Sequence, residues 1–372
     1  MNVDFAKAVF DQEEKDAVNR VLSGYWLASG PENEAFEKEF ANYAGTNFAV
    51  SVNSGSNGNL IALAVLGLAR GETVLTAGCG FPATLSPILH LGLQPLLIDY
   101  DLETHNIDLS EAFRNLDSVQ AVIFAHTMGN PVNEDFIKVC NDKNIPVIED
   151  CCEAVGTKLF GVRSVGSYGT LGTFSFYPAH QMTALGGGGM IVTNDEGLAK
   201  ECRSMRDWGK RWDWDDTLGD NRTTYTLDLD GKPYYRHYTY STLGYNAKLP
   251  EACAAFGRVQ LKRLDKWVKR RVENYQYLNE KIKKLGVFID LKISPSAEIS
   301  WFGYILTLRE GSLSRNSLGD WLESNGIRTR PFFAGNITRH KPFRHLYEEG
   351  KLPVADKLMN DSLFVGIWQG LQ

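Results

Sequence analysis

The chain has 372 residues, 43% of them hydrophobic and 11% aromatic, so it can bury a large core, and its length fits two domains or one large domain with a satellite. A formal net charge of −6 excludes a general attraction to nucleic acid or to an anionic membrane, so an anionic ligand would need a local site. Six cysteines (Cys79, Cys140, Cys151, Cys152, Cys202, Cys253) without a CxxC pair favour reduced, packed thiols over a disulfide framework or a zinc site.

The start, MNVDFAKAVFDQEEK, lacks the basic-then-apolar pattern of a signal peptide, and no apolar run approaches about 20 residues, so a cytoplasmic location is expected. The segment up to residue 50 reads as helical. In SVNSGSNGNLIALAVLGLA a β-like run then meets Ser54, Gly55 and Ser56, just before a helix with apolar Leu60, Leu63 and Leu66. That is a phosphate cup in outline, with free backbone N–H groups at a helix start and small side chains that permit close approach. An ordinary N-cap has the same signature.

From residue 72 to 194 apolar runs recur between helical or loop stretches: ETVLTA, QPLLIDY, AVIFAH, IPVIED, LGTFSF and MIVTN. Such runs suit strands buried on both faces, which predicts an α/β fold with a mostly parallel sheet. Sheets of this kind bind ligands at the carboxyl ends of their strands. Asp150 closes IPVIED, and His126 closes AVIFAH.

Between Arg206 and Tyr245 the sequence turns polar and aromatic with little periodicity, as lids and interface arms do. Leu261, Leu264, Val268, Val272, Tyr275, Leu278, Ile282 and Leu285 then follow 3/4 spacing, predicting one long amphipathic helix that ends at Gly286. The expected organisation is a large domain over 1–250 that includes the polar arm, a linking helix over 251–286, and a smaller C-terminal α/β domain over 287–372. There is no internal repeat and no low-complexity tract.

The stretch TFSFYPAHQMTALGGGG, Thr173 to Gly189, joins an apolar run to one imidazole, His180, and then to four glycines. A Ser-aromatic-aromatic segment leading to a basic residue and glycines resembles the cofactor-lysine segment of the DegT-type nucleotide-sugar aminotransferases, fold-type I enzymes that use pyridoxal phosphate (PLP). His180 stands where that lysine would be. The same exchange marks the sugar 3-dehydratases of the family, which use pyridoxamine phosphate (PMP) to remove a hydroxyl from a nucleotide-linked 4-keto-6-deoxyhexose. The resemblance runs from the entry segment, matched at Gly24, Gly30, Phe36, Glu37 and Phe40, to the closing MNDSLFVGIWQGL. MGNP at 128–131, ISWFGY at 299–304 and TRPFFAGN at 329–336 are similar to the dehydratases in particular.

The resemblance implies a role for each of several residues. Asp150, in EDCCEAVGT, would contact the pyridine nitrogen, where an anion keeps the nitrogen protonated and lets the ring accept electrons. Glu153 would lie near the cofactor's 3-hydroxyl, Phe81 in GFPATLSP would stack on the ring, and Ser175 would hold the phosphate together with the Gly55–Ser56 cup. Asn246, in GYNAKL, would reach the phosphate of the neighbouring subunit, which makes the expected assembly a homodimer with shared active sites. Arg330, Phe333 and Asn336 would lie near the nucleotide-sugar pocket.

An imidazole cannot make the covalent link that a lysine makes with PLP, so the cofactor would be held non-covalently. His180, with an unperturbed pKa of about 6.5, suits proton transfer near pH 7. An amino donor such as glutamate would regenerate PMP. Two departures stand out. Gly186 occupies a position six residues after the histidine where the dehydratases carry glutamate. After Asp207, Trp208 and Gly209 the chain reads KRWDWDDTLGDN, without the cysteines through which one branch binds a two-iron cluster, so no iron–sulfur cluster is expected. Two other readings stay open: a nucleotide-sugar 4-aminotransferase whose lysine is displaced, with Lys158 and Lys200 as the nearest candidates, and a catalytically inactive relative kept as a binding subunit. These residues leave the nucleotide, CDP or GDP, open.

Overall fold

The structure is a computed structural model that describes residues 3–211, 225–229, 232–235 and 238–371. The N-terminal segment forms α1 (Gln12–Ser23) and α2 (Pro31–Ala44). A capping box starts the first, with the Glu14 carboxylate accepting from the Asp11 N–H at 2.9 Å. Proline at the first position starts the second, and Gly45, at φ 76°, ends it.

The apolar runs become the strands of a sheet whose residues are mostly buried. In chain order these are β1 (Phe48–Val52), β2 (Thr73–Ala77), β3 (Gln94–Ile98), β4 (Ala121–Ala125) and β5 (Val147–Asp150). A short hairpin of β6 (Lys158–Leu159) and β7 (Arg163–Ser164) follows, then β8 (Leu171–Ser175) and β9 (Gly189–Thr193). Seven of them form one sheet in the order β1-β9-β8-β5-β4-β2-β3. From β3 to β8 the pairing is parallel, and β9 and β1 close one edge antiparallel. Helices α3 (Gly55–Ala64), α4 (Pro82–His90), α5 (Leu109–Asn115), α6 (Glu134–Asp142) and α7 (Glu196–Arg206) lie between the strands in sequence. The mostly parallel α/β sheet expected from the sequence is thus present. Its core runs from Val50 and Ile61 through Leu75, Ile123 and Ile148 to Leu171.

In the polar excursion a hairpin of β10 (Tyr225–Leu229) and β11 (Lys232–Tyr235) is described. The expected arm includes residues 212–224, 230–231 and 236–237, which lie outside the described residues. The expected long helix is α8 (Glu251–Ile282); a 3-10 turn follows it, and Gly286, at φ 69°, ends the run. The 3/4 spacing buries Leu261, Leu264 and Tyr275, and it also buries Arg271. Beyond it, β12 (Ala297–Glu298) pairs with β6. A three-stranded antiparallel sheet, β13 (Tyr304–Thr307), β15 (Ser362–Val365) and β14 (Thr329–Pro331) in spatial order, is flanked by α9 (Arg315–Ser324) and α10 (Pro353–Asp361). No helix among the described residues is long and apolar enough to cross a membrane.

Candidate active site

Three chain segments converge at the carboxyl ends of β1, β5 and β8. After β1 the Ser54 hydroxyl caps α3, accepting from the Asn57 N–H at 3.1 Å, so the N-cap reading of Ser54 is correct. Ser54, Gly55 and Ser56 nevertheless all line the same cavity. The first N–H groups of a helix have no partners within it, and the helix dipole adds partial positive charge there. Glycine at position 55 is a packing requirement: a Cβ there would lie 2.7 Å from both Cys152 Sγ and Ser175 Cβ.

The Asp150 carboxylate, at the end of β5, is fixed from three sides. One oxygen accepts from Asn59 Nδ2 at 2.7 Å and Thr84 Oγ1 at 2.8 Å, and the other accepts from the Cys152 N–H at 3.1 Å. Glu153, three residues on, accepts from the Met128 N–H at 2.7 Å. Burial pushes its carboxyl up to about 8, the Met128 N–H opposes this, and nearby Asp150 adds to the rise.

His180 follows β8 on a turn. Its Nδ1 is hydrogen-bonded to the Cys152 carbonyl, and a carbonyl can only accept, so Nδ1 carries the proton and Nε2 keeps a free lone pair. Burial brings the imidazole down to about 4; the Cys152 carbonyl and Asp150 oppose that shift, and the Arg271 guanidinium reinforces it. The ring is therefore neutral at pH 7. It packs edge-on against Phe302, with centroids 5.2 Å apart.

The cavity, about 700 Å³, also takes in Ser175, Phe81, Phe302, Arg330, Phe333 and, from the far N-terminus, Phe5. Phe81 is 55% exposed, leaving its ring free to meet a flat ligand. Arg330 lies over the Phe5 ring at 5.1 Å and is the only Lys or Arg among the described lining residues. No lysine is among those described lining residues: Lys158 lies 3.6 Å from Asp265 and Lys200 lies 2.8 Å from Glu196, both elsewhere.

The structure thus gathers Gly55, Ser56, Phe81, Asp150, Glu153, Ser175, His180, Arg330 and Phe333 around one cavity. Asn336 is not on its lining; it is 1% exposed and holds Asp356 Oδ1 at 2.8 Å and the Thr338 N–H at 3.1 Å. The chain reverses at Phe333 (φ 46°) and Gly335 (φ 58°), which turns the asparagine away from its neighbours in TRPFFAGN. Asn246 does not line its own chain's cavity either, and its side chain is exposed. His126, at the end of β4, has a structural position: Nε2–H donates to Glu149 at 2.9 Å and Nδ1 accepts from the Val132 N–H at 3.0 Å. Glu149 also accepts from the N–H groups of Gly166, Tyr168 and Gly169, so this buried group has its partners without a metal.

Sequence reasoning missed Asn59, Thr84, Phe302, Phe5 and Arg271. Arg271 had a signal, since it stands between Trp267 and Tyr275 on the apolar stripe of α8, where a charge is out of place.

The sequence profile of the DegT/DnrJ/EryC1/StrS aminotransferase family matches residues 9–372. The chain belongs to this family. The lipopolysaccharide biosynthesis protein RfbH of Salmonella typhimurium is 37% identical over 98% of this chain and 87% of its own. The dTDP-4-dehydro-2,6-dideoxy-D-glucose 3-dehydratase of Saccharopolyspora spinosa is 35% identical over 98% of this chain and 82% of its own. A crystal structure of GDP-4-keto-6-deoxymannose-3-dehydratase with a trapped PLP–glutamate geminal diamine matches with a TM-score of 0.88 at 27% identity, covering 99% of this chain and 96% of that one.

The residues present in this family member fit a B6 phosphate. The helix start beside Gly55 offers N–H groups to a phosphate, Asp150 offers a fixed carboxylate to a ring nitrogen, and Phe81 offers an open aromatic face.

Proposed function

We propose that the chain is a B6-dependent 3-dehydratase that removes the 3-hydroxyl of a nucleotide-linked 4-keto-6-deoxyhexose, working through pyridoxamine phosphate. One observation carries this reading: the cavity holds an imidazole with a free Nε2 lone pair and no lysine on its described lining. Relatives of like length, similar over nearly the whole chain, include two 3-dehydratases, one of a dTDP-linked and one of a GDP-linked sugar.

Pyridoxamine phosphate, when bound, supplies an amine for the sugar's 4-keto carbon and a ring that takes up electrons. The chain's residues do the rest. Ser54–Ser56 and Ser175 hold the phosphate end, and Asp150 keeps the ring nitrogen protonated. His180 Nε2 takes the proton that must leave before the C3–O bond breaks, then returns it to the departing oxygen. Glu153, protonated near neutral pH, adds a hydrogen-bond donor rather than a second charge beside Asp150. Phe302, Phe333 and Phe5 exclude water from the sugar, and Arg330 faces the anionic parts of the nucleotide sugar and of a glutamate-type amino donor. The same reading has two copies of the chain sharing their sites through Asn246, and no iron–sulfur cluster.

The test is to load the protein with PMP and offer 4-keto-6-deoxyhexoses linked to CDP, GDP and dTDP, with glutamate present. Mass spectrometry should show a product that has lost one oxygen, with ammonia released. A product that keeps the 3-hydroxyl and gains an amine at C4 would establish the aminotransferase reading instead.

A further inference from the structure

Arg271 is 1% exposed in the middle of α8, and among the described residues no carboxylate pairs with it. A bare guanidinium in that position is costly unless its donors find partners. Four of its five N–H groups are used on backbone and amide oxygens: Nη2 donates to the His180 carbonyl at 3.2 Å, Nη1 to the Trp301 and Phe302 carbonyls at 3.0 and 3.2 Å, and Nε to Gln369 Oε1 at 3.0 Å. Gln369 in turn donates to the Gln181 carbonyl at 3.5 Å. One side chain therefore ties together the turn that carries the imidazole, the segment that carries Phe302, and the C-terminal end of the chain.

We infer that Arg271 is a positioning residue for proton transfer: it fixes His180 and Phe302 relative to each other and places an uncompensated positive charge behind the imidazole. This role rests on His180 being the base, as in the proposed function. A planar fork can reach three carbonyls at once, whereas an ammonium cannot bridge them in the same way. The groups that face His180 are Asp150 at the end of β5, Cys152 after it, Tyr177 on its own turn, Phe302, and Arg271 on α8, with Glu153 on the lining of the same cavity. Of these, the guanidinium is the cation, and it favours the neutral ring that can accept a proton. A merely structural hub would alter stability when replaced and leave the imidazole's titration unchanged.

The titration of His180 can be read by NMR on imidazole-labelled full-length protein without substrate, its signal assigned by its loss in His180→Asn. Arg271→Met should raise the midpoint by about 1 pH unit, because a nearby cation has been removed. Arg271→Lys keeps the charge but not the fork, so its midpoint should stay near the wild-type value while dehydration falls by about 10- to 100-fold. If Arg271→Met does not fold, Gln369→Glu decides: it sets a carboxylate against Nε, offsets the charge and should raise the midpoint in a folded protein. A folded Arg271→Met, or failing that Gln369→Glu, with the wild-type midpoint overturns the electrostatic part, and wild-type turnover in Arg271→Lys overturns the positioning part. Because the titration needs no turnover, a failure of the His180 base assignment would show separately, as retained activity in His180→Asn.

Discussion

Replacing Glu153 by glutamine should stabilise the unliganded protein at high pH and not at low pH. The carboxyl is buried, its pKa is raised from 4.5 to about 8, and its one strong partner is the Met128 N–H, which a glutamine amide oxygen can accept from equally well. Between those two values the folded state keeps a proton that the unfolded chain has released. More protons bound in the folded state means that stability falls as pH rises across this window, and the loss is complete above the folded pKa. At about 1.4 kcal/mol per unit over about 3.5 units, the cost is on the order of 5 kcal/mol. Glutamine has no such term, so the difference in Tm between variant and wild type should be near zero at pH 4.5, grow through pH 6 and 7, and level off above pH 8. Thermal scans of both proteins, freed of cofactor and run in parallel, measure it; other titrating groups cancel in the difference. A Tm difference that stays constant from pH 5 to 8 would refute the reasoning, because it would mean that Glu153 ionises as an ordinary carboxylate.

Gly55→Ala should weaken PLP binding by roughly 10-fold or more, since a Cβ placed 2.7 Å from Cys152 Sγ and Ser175 Cβ costs about 1–3 kcal/mol in displaced neighbours; absorbance titration reads it, and unchanged affinity counts against the tight cup. His180→Asn should still bind PLP but lose turnover by about 10²–10⁴-fold, the usual worth of a general base, with the deoxygenated product measured by mass spectrometry. His180→Lys should gain a PLP adduct that borohydride fixes to residue 180, detectable by peptide mass, where the wild-type chain shows none. Mixing an Asn246→Ala chain with a His180→Asn chain should restore part of the activity in verified heterodimers, because one site then has both residues; no recovery would indicate a self-contained site.

Much of the fold and site could be read directly from the chain, and the reasons are local. The strands announced themselves because burial on both faces leaves continuous apolar runs, and α8 because its stripe repeats every three to four residues. Asp150 and His180 could be singled out because the first ends a strand and the second follows one, each within a short motif that resembles the family's. Phe5 carries no such mark: its place on the cavity wall comes from contacts with Phe302 and Phe364, some 300 residues away, and from Trp368 Nε1 donating to the Asp4 carbonyl at 2.9 Å. Asn336 lies off the lining for the opposite reason, because its neighbours in sequence do line the cavity while a reversal of the backbone turns its amide inward. Asn59 and Thr84 stand inside SVNSGSNGN and GFPATLSP, yet their task, holding one oxygen of Asp150, depends on how α3 and α4 pack over β5, which no spacing encodes.

The cavity has two unequal walls. Its floor, from Ser54 through Asp150 to His180, is built by the seven-stranded sheet and locked by short hydrogen bonds, while Arg330, Phe333 and Phe5 belong to β14, the turn after it and the N-terminal segment laced to them. Under the proposed function, bond-breaking and the choice of sugar nucleotide would fall to separate stretches of the chain. Exchanging residues 3–5 and 327–336 for those of a relative with a different nucleotide should redirect which sugar is accepted and leave the proton chemistry of the floor intact. Such a division would let one catalytic floor serve different sugar nucleotides through changes in the other wall alone.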